Sequence, residues 1–532
     1  MKLRILATLA ITVTSITANA QTPVWSTDIA PILNNNCATC HRPGGIGSFS
    51  LLTYNDAVNK ALAIAGAVNT GYMPPWPPDV NYNRLAHERV LAQSDIDKIV
   101  KWANGGTPQG DPNLAPPTPT FNPDGDLPGT PDLVTQIPTY TSTATTGDIY
   151  QCFVVPSNLT ADKFITAFEA IPGNRDIVHH VLVYADTTGT CANLQANSSD
   201  PVGYLNFGGV GTDKAILLGI WVPGTQPTQM PKGFGLRIPK NADIVLQVHY
   251  PLGSNGKKDS TKIKFYFSPT SSVRDLRLDP ILNHTGNFCK QTPTNLYIPA
   301  KQTQKFVQES TIWGLVGDVS ILGVGPHMHL IGRSINSYGV LPNGDTDKYI
   351  NIPKWDFGWQ GIYNFRKIKK VPQGSKIISE AFYDNTSSNP FNPSNPPKDV
   401  SSGEATTDEM MLSYFLWTPY QAGDENIIID STFPVFVKQT QTYYNEQEFF
   451  APYPNPASNQ LTVKYYFKKS DKVSIDLVDI QGRTVRVFEN NKKVNVGYTA
   501  TTYNTADIPN GVYTLRMLTS EQQMTHKVII NR

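Results

Sequence analysis

From residue 133 to about residue 437 the chain keeps one pattern: short runs that alternate apolar and polar residues, cut by Gly and Pro turns. Ile244-Leu246-Val248 and Ile263-Phe265-Phe267 are examples. Residues i and i+2 of an extended strand share a face, so such runs bury one side as strands and have no continuous stripe as helices. Repeated over this length, the pattern predicts antiparallel sheets rather than helical or parallel α/β architecture. Two β-sandwiches are expected, at 133–270 and 271–440, with the boundary near 268–278.

The flanks of the 532-residue chain are of other kinds, so the fold class is multidomain and mainly β. Residues 1–20 carry Lys2 and Arg4, an apolar stretch from Ile5, and Ala18-Asn19-Ala20, the layout of a secretory signal peptide that leaves a mature chain starting near Gln21. No later run reaches the roughly 20 apolar residues of a spanning helix. The net charge is +1, the basic residues are dispersed and the 367–370 Lys cluster is short, so nothing points to nucleic acid.

Cys37-Ala38-Thr39-Cys40-His41 sets two thiols three apart, with an imidazole beside the second. Each thiol can add to a haem vinyl group while the imidazole takes the iron, so CxxCH behind an export signal predicts covalent haem c. A redox CxxC or half a zinc site is the other reading, but no second Cys pair or strand–helix context stands nearby. Met73, in Gly71-Tyr72-Met73-Pro74-Pro75-Trp76, is the expected sixth ligand because its flanking prolines fix an extended loop; His87 is the competitor. Residues 28–35 precede the motif, and Ser94-Asp95-Ile96-Asp97 is expected to cap a helix running through Trp102 to Gly105-Gly106. In this order of parts, residues 21–106 resemble a small α-helical class I cytochrome c domain. Residues 107–132, rich in Pro, Gly, Asn and Asp, read as a semi-rigid linker.

Of nine histidines, five fall in strand-like contexts. His327 and His329, in Pro326-His327-Met328-His329-Leu330, lie two apart and can face one metal from one side of a strand. Met410, in Asp408-Glu409-Met410-Met411, would add a thioether if its strand pairs with theirs. Two imidazoles and a soft sulfur suit copper better than zinc or calcium. His179, His180 and His249 would form a second, three-imidazole set. Neighbours on a regular strand face opposite sides, so the doublet can serve one ion only at a strand end or bulge. The Thr187-Thr188-Gly189 turn predicts that the strand is ending there. Any one of these histidines taken singly is better explained as a hydrogen-bonded structural residue; a single scheme that uses all five carries the metal reading. His284 reads as a loop residue without a partner. A zinc hydrolase or cupin site could also use HxH, yet no Asp or Glu follows at the spacing those sites need. Residues 385–408, rich in Asn, Pro and Ser, form a long loop leading to Met410, read either as a lid or as plain surface disorder.

Several stretches occur in one order: Asp148-Ile149-Tyr150-Gln151-Cys152, Asp176-Ile177-Val178-His179-His180, Pro231-Lys232-Gly233-Phe234-Gly235, Val245 through Tyr250, His327 through Gly332, and Asp408-Glu409-Met410. Together they resemble the copper type II ascorbate-dependent monooxygenases, which include the peptidylglycine and dopamine β-monooxygenases, over residues 133–439. The resemblance implies two jelly-roll sandwiches and two copper ions, with ascorbate or another reductant as electron donor. It implies that His179, His180 and His249 hold an electron-transfer copper, and that His327, His329 and Met410 hold the copper that meets O₂, with Tyr414 retained nearby. It also implies a Cys152–Cys191 disulfide, which leaves Cys289 odd.

Two departures bear on substrate: Gly325 stands where peptide-amidating members carry an Arg, and Leu412 where they carry an Asn. Met411 stands where the family has a Cys, which implies that several of the animal enzymes' disulfides are absent. The resemblance thus implies a monooxygenase that hydroxylates a C–H bond of a small uncharged or hydrophobic molecule; the fusion to a haem domain, which the family does not supply, suggests that haem as an alternative electron source. A non-enzymatic surface electron-transfer or copper-binding protein, its haem domain docking a redox partner protein, is the second function class.

The tail opens with Tyr453-Pro454-Asn455-Pro456, alternates through Val473-Ser474-Ile475-Asp476-Leu477, turns at Gln481-Gly482, and closes on Lys527-Val528-Ile529-Ile530. It resembles the C-terminal sorting domain of the type IX secretion system of Bacteroidota, an Ig-like β-sandwich at 450–532. That resemblance implies the type IX machinery as partner and a secreted or cell-surface location.

Overall fold

The computed structural model describes residues 22–532 except 123, 224, 226, 285–288, 312–316, 433–446, 451, 468–469, 480, 496 and 521–522. The predicted signal peptide lies outside the described residues. The chain is mainly β, built on several sheets, with most of its helices gathered near the N-terminus and a short one at Thr190–Ala196.

In that N-terminal segment a π-turn at Trp25–Ile29 runs into a helix at Ala30–Asn36, followed by helices at Tyr54–Val58, Ala61–Asn69 and Gln93–Asn104. Trp25 and Trp102, from the first and last of these, meet with ring centroids 6.2 Å apart inside a core that includes Ile29, Leu33, Ile64 and Ile99. The last helix starts earlier than its sequence suggests. Its N-cap is Ala92, which makes no side-chain cap, and Ser94 and Asp95 lie in the first turn, where the Asp favours the positive end of the helix. The 107–132 stretch is not a free spacer. Pro108 O accepts from the Trp25 amide and the Trp102 indole, while Glu169 accepts from the Asp126 amide.

Beyond it, one large sheet runs through strands Leu133–Gln136, Lys262–Phe267, Lys163–Ile171, Phe234–Ile238, Arg274–Asn283, Leu412–Pro419, Val319–His327 and Tyr363–Val371. Its pairs are antiparallel except that between Phe234–Ile238 and Arg274–Asn283. A five-stranded sheet centred on Asp243–Tyr250 packs on it through Phe153, Val181, Leu246, Phe265 and Leu278. Another, centred on Lys376–Asp384, packs through Phe306, Ile335, Tyr383, Val324 and Phe415.

The two layers are therefore joined, not merely stacked. Strand Arg274–Asn283, inside the predicted boundary, pairs at Arg274–Leu276 with the first half and at Arg277–Asn283 with the second. In Leu412–Pro419, Leu416 belongs to the first core while Phe415 and Trp417 belong to the second. This strand is covered on both faces, which is why it reads as an apolar run rather than as an alternation. Each fully buried Phe here stabilises the fold by about 1.5–3 kcal/mol relative to exposure.

The tail forms a three-stranded sheet, Gln447–Phe449, Gln460–Phe467 and Gly497–Asn504, and a four-stranded one built on Asp471–Val478 and Gly511–Leu518. They share a core of Leu461, Val463, Ile475, Leu477, Leu515 and Val528.

Candidate metal centres

The first set is assembled by a β-ladder. His249 is the direct cross-strand partner of His180, and the His179 amide donates to His249 O at 2.9 Å. The doublet sits at the first residue of strand His180–Asp186 and the residue before it, so it does occupy a strand end, the N-terminal one, and the strand closes at Asp186 just before the Thr187-Thr188-Gly189 turn. Leaving the ladder there lets His179 turn to the same side as His180. The Nδ1 atoms converge: His180 Nδ1 is 3.4 Å from His179 Nδ1 and 3.3 Å from His249 Nδ1, and one ligand atom from each ring lies within 4.8 Å of the others.

Behind the cluster, His249 Nε2 faces Asp148 Oδ2 at 3.2 Å, and the Tyr150 ring stacks on His249 at 4.3 Å. The His249 contact holds the Asp148 carboxyl well below the usual carboxylate range. A carboxylate on the outer nitrogen orients an imidazole and makes its inner nitrogen a better donor to metal. Burial holds His179 down at about 4 and His180 well below the ordinary histidine value. Neutral imidazoles with aligned nitrogens are what a metal needs.

The second set is assembled by side-chain bonds. His327 pairs with Leu412 in the antiparallel ladder; just beyond its end stand His329, two residues after His327, and Met410, two residues before Leu412. The buried Glu409 carboxyl group ties these segments together, its oxygens accepting from the amides of His329 and Ile331, both at 2.9 Å, and of Met410 at 3.2 Å. Burial pushes Glu409 up to about 8 even with these donors. His329 Nδ1 meets Asp408 O at 3.1 Å, and Trp355 Nε1 donates to His329 O at 3.1 Å. His327 Nδ1 meets Gln360 Oε1 at 2.5 Å, while Gln360 Nε2 donates to Phe357 O. Both Nδ1 atoms are thus engaged outward, and Nε2 of each ring is left to bind. Burial holds His327 at about 4 and His329 at about 3, so both rings are neutral at ordinary pH.

Met410 is half-buried, its carbonyl accepting from Tyr383 at 2.7 Å. Tyr414 pairs with Gly325, and burial raises its hydroxyl to about 12. A Cβ at Gly325 would press on the end of the Ile362 side chain, which would have to move to admit one.

Several residues of these sites carried no separate signal in the sequence. Asp148, Glu409, Trp355, Phe357 and Gln360 are of common types at unremarkable spacings, and only the folded ladders bring them in. His284 lies in a turn, as expected, but is not without a partner: its amide donates to Met411 O, and the Met411 amide donates to its ring Nδ1, next to Met410. The 385–408 segment is well anchored, with fully buried Asn385 donating to Ile298 O and Lys398 O.

The described cysteines are all free thiols. Cys152 and Cys191 do reach one buried cluster, but their sulfurs face the successive carbonyls Gly209 O and Val210 O instead of each other, so the implied disulfide is not formed. At the CxxCH motif, His41 Nδ1 meets Phe49 O at 3.2 Å, which leaves Nε2 for an iron. A Cβ at Gly47 would press on the His41 ring, so the loop closes tightly behind it. Burial pushes the Cys37 thiol up to about 12, the opposite of the depressed thiol of a redox CxxC. Met73 is half-buried at the turn after the Ala61–Asn69 helix. The competing His87 is 68% exposed at its side chain and bonds through its amide to Asp430.

Residues 451–531 match the family described as the secretion system C-terminal sorting domain. This is a type IX secretion substrate. The protein is accordingly secreted or held at the cell surface of a Bacteroidota-like bacterium, and the type IX machinery is a partner.

Among solved structures, it is similar to a putative β-galactosidase from Bacteroides fragilis, at 8% identity and a TM-score of 0.14 over 45% of this chain and 35% of that one. It is also similar to a Faecalibacterium prausnitzii β-glucuronidase, at 9% identity and 0.14 over 43% and 37%. The chain thus spans little more than a third of these enzymes, and at such scores the likeness carries no argument.

Proposed function

We propose that this secreted protein is a copper-dependent monooxygenase that hydroxylates a C–H bond of a small uncharged or hydrophobic substrate with O₂. The observation that carries the reading is the opposite presentation of two histidine sets: three inward Nδ1 atoms in one, two Nε2 atoms left to bind beside a methionine-bearing segment in the other. Copper, when bound, would supply one-electron chemistry at both sets and O₂ activation at the sulfur-containing one. The residues of the chain do the rest. Asp148 and Gln360 fix ring orientation, Glu409 sets the His329 and Met410 segments against each other, and Trp355 and Phe357 keep the surroundings apolar. Gly325, packed against Ile362, offers no cation for a substrate carboxylate, which favours an uncharged substrate over a peptide terminus.

Cys37, Cys40, His41 and Met73 would hold a covalent haem c, a one-electron store on the same chain, with ascorbate or another reductant upstream. The test is product formation by copper-loaded protein with O₂ and a reductant across a panel of small hydrophobic molecules. Hydroxylated product that disappears in Met410→His supports the reading. Copper binding and electron exchange without product would favour a surface electron-transfer or copper-binding protein.

A further inference from the structure

Two bridges cross from one histidine set to the other, and neither belongs to a sheet. The first starts at His249, whose Nε2 faces Asp148 Oδ2 at 3.2 Å. The same carboxylate oxygen accepts the Thr406 hydroxyl at 2.8 Å, a contact between residues 258 apart in sequence. Leu252 N holds the other Asp148 oxygen at 2.9 Å, so the carboxylate is fixed from the first layer. Two residues after Thr406, Asp408 O receives His329 Nδ1. The second bridge is the Phe357 ring, half-buried between the sets. It stacks on His179 at 5.2 Å and 18°, and meets His329 edge-on at 5.8 Å and 88°. Its own carbonyl orients Gln360, which in turn orients His327.

We propose that Thr406 and Phe357 are positioning residues that lock the two ligand sets into one unit, so that filling either set biases the geometry and affinity of the other. This rests on the copper reading above. A cation held by the three-histidine set polarises His249 against Asp148, and the only hydroxyl on that carboxylate oxygen among the described contacts is the one anchoring the His329 loop. Such a coupling is reciprocal by linkage. Phe357 adds a spacer of fixed thickness, since a stacked and an edge-on contact cannot both survive a shift of either set.

Full-length mature protein loaded with Cu(II) provides the test. Thr406→Val keeps the side-chain shape and removes the hydroxyl; Thr406→Ser restores it; Phe357→Leu removes the ring and keeps the site apolar. In the parent protein, two Cu(II) ions at one separation should give a single dipolar-broadened electron paramagnetic resonance line shape. In Thr406→Val and Phe357→Leu the broadening should weaken and spread, with two coppers still bound, and in Thr406→Ser it should return. In the same samples the second copper's affinity should lose its dependence on the first, by several-fold. A parent line shape and unchanged coupling in both Thr406→Val and Phe357→Leu, at full copper content, would overturn the proposal and leave the copper reading intact. A parent protein that binds fewer than two coppers would overturn both.

Discussion

The two histidine sets are built by different means. His179, His180 and His249 are placed by backbone: one cross-strand pair and one amide bond from the residue before the strand. His327, His329 and Met410 are placed by buried side chains, above all the Glu409 carboxyl group, with Gln360 and Trp355 behind the rings. A ladder spreads its strength over many hydrogen bonds, so single substitutions near it are tolerated. A site hung on one carboxyl group fails when that group goes.

The largest expected effect follows directly. Glu409→Ala leaves three backbone amides without their acceptor and should destabilise the protein by about 3 kcal/mol or more. The midpoint of urea unfolding gives the number. Copper binding at His327 and His329 should be lost while the three-histidine set keeps its ion. Equal loss at both sets would erase the distinction between them.

Acid should act on both sets. His179, His327 and His329 are held at about 4, 4 and 3, below the roughly 6.5 of an unfolded histidine. The unfolded chain therefore binds protons that the folded one refuses, so the stability these rings confer is present above about pH 6.5 and is lost as pH falls toward the folded values, while Glu409, raised to about 8, works in the opposite sense and offsets one ring of this loss. Metal-free protein should show its urea midpoint dropping over that window; copper-loaded protein, its ring nitrogens occupied, should show a smaller drop. A flat profile in the metal-free protein would mean the rings are not buried neutral.

Gln360→Leu sharpens the comparison with a milder change. It removes the acceptor on His327 Nδ1 without touching a ladder bond, and should weaken copper at the second set by about tenfold. Isothermal titration with the first set already filled would measure it. No change would show that the His327 ring is oriented by packing instead.

The same contrast explains what could be read in advance. Spacing and alternation made the histidines and the sandwich strands legible, because a period of two is written directly into residues such as His327 and His329. The shared sheet was not, since strand Arg274–Asn283 changes partners midway and no local pattern marks that. Glu409 and Phe357 escaped for a related reason: a buried acid and a spacer ring are defined by what surrounds them. The Thr187-Thr188-Gly189 turn marks where the doublet's strand stops, at Asp186, whereas nothing as plain marks where it starts, at His180. The tail, by contrast, was legible throughout, because its turn residues and its strands point to the same sandwich.

The proposed function requires two chemically different metal sites in one chain, and copper titration followed by X-ray absorption of the reduced protein tests that most directly. It predicts two copper ions per chain, one environment of nitrogen alone and one with a sulfur scatterer, and the sulfur signal should vanish in Met410→His. A single copper per chain, or a sulfur signal that survives that substitution, would contradict it.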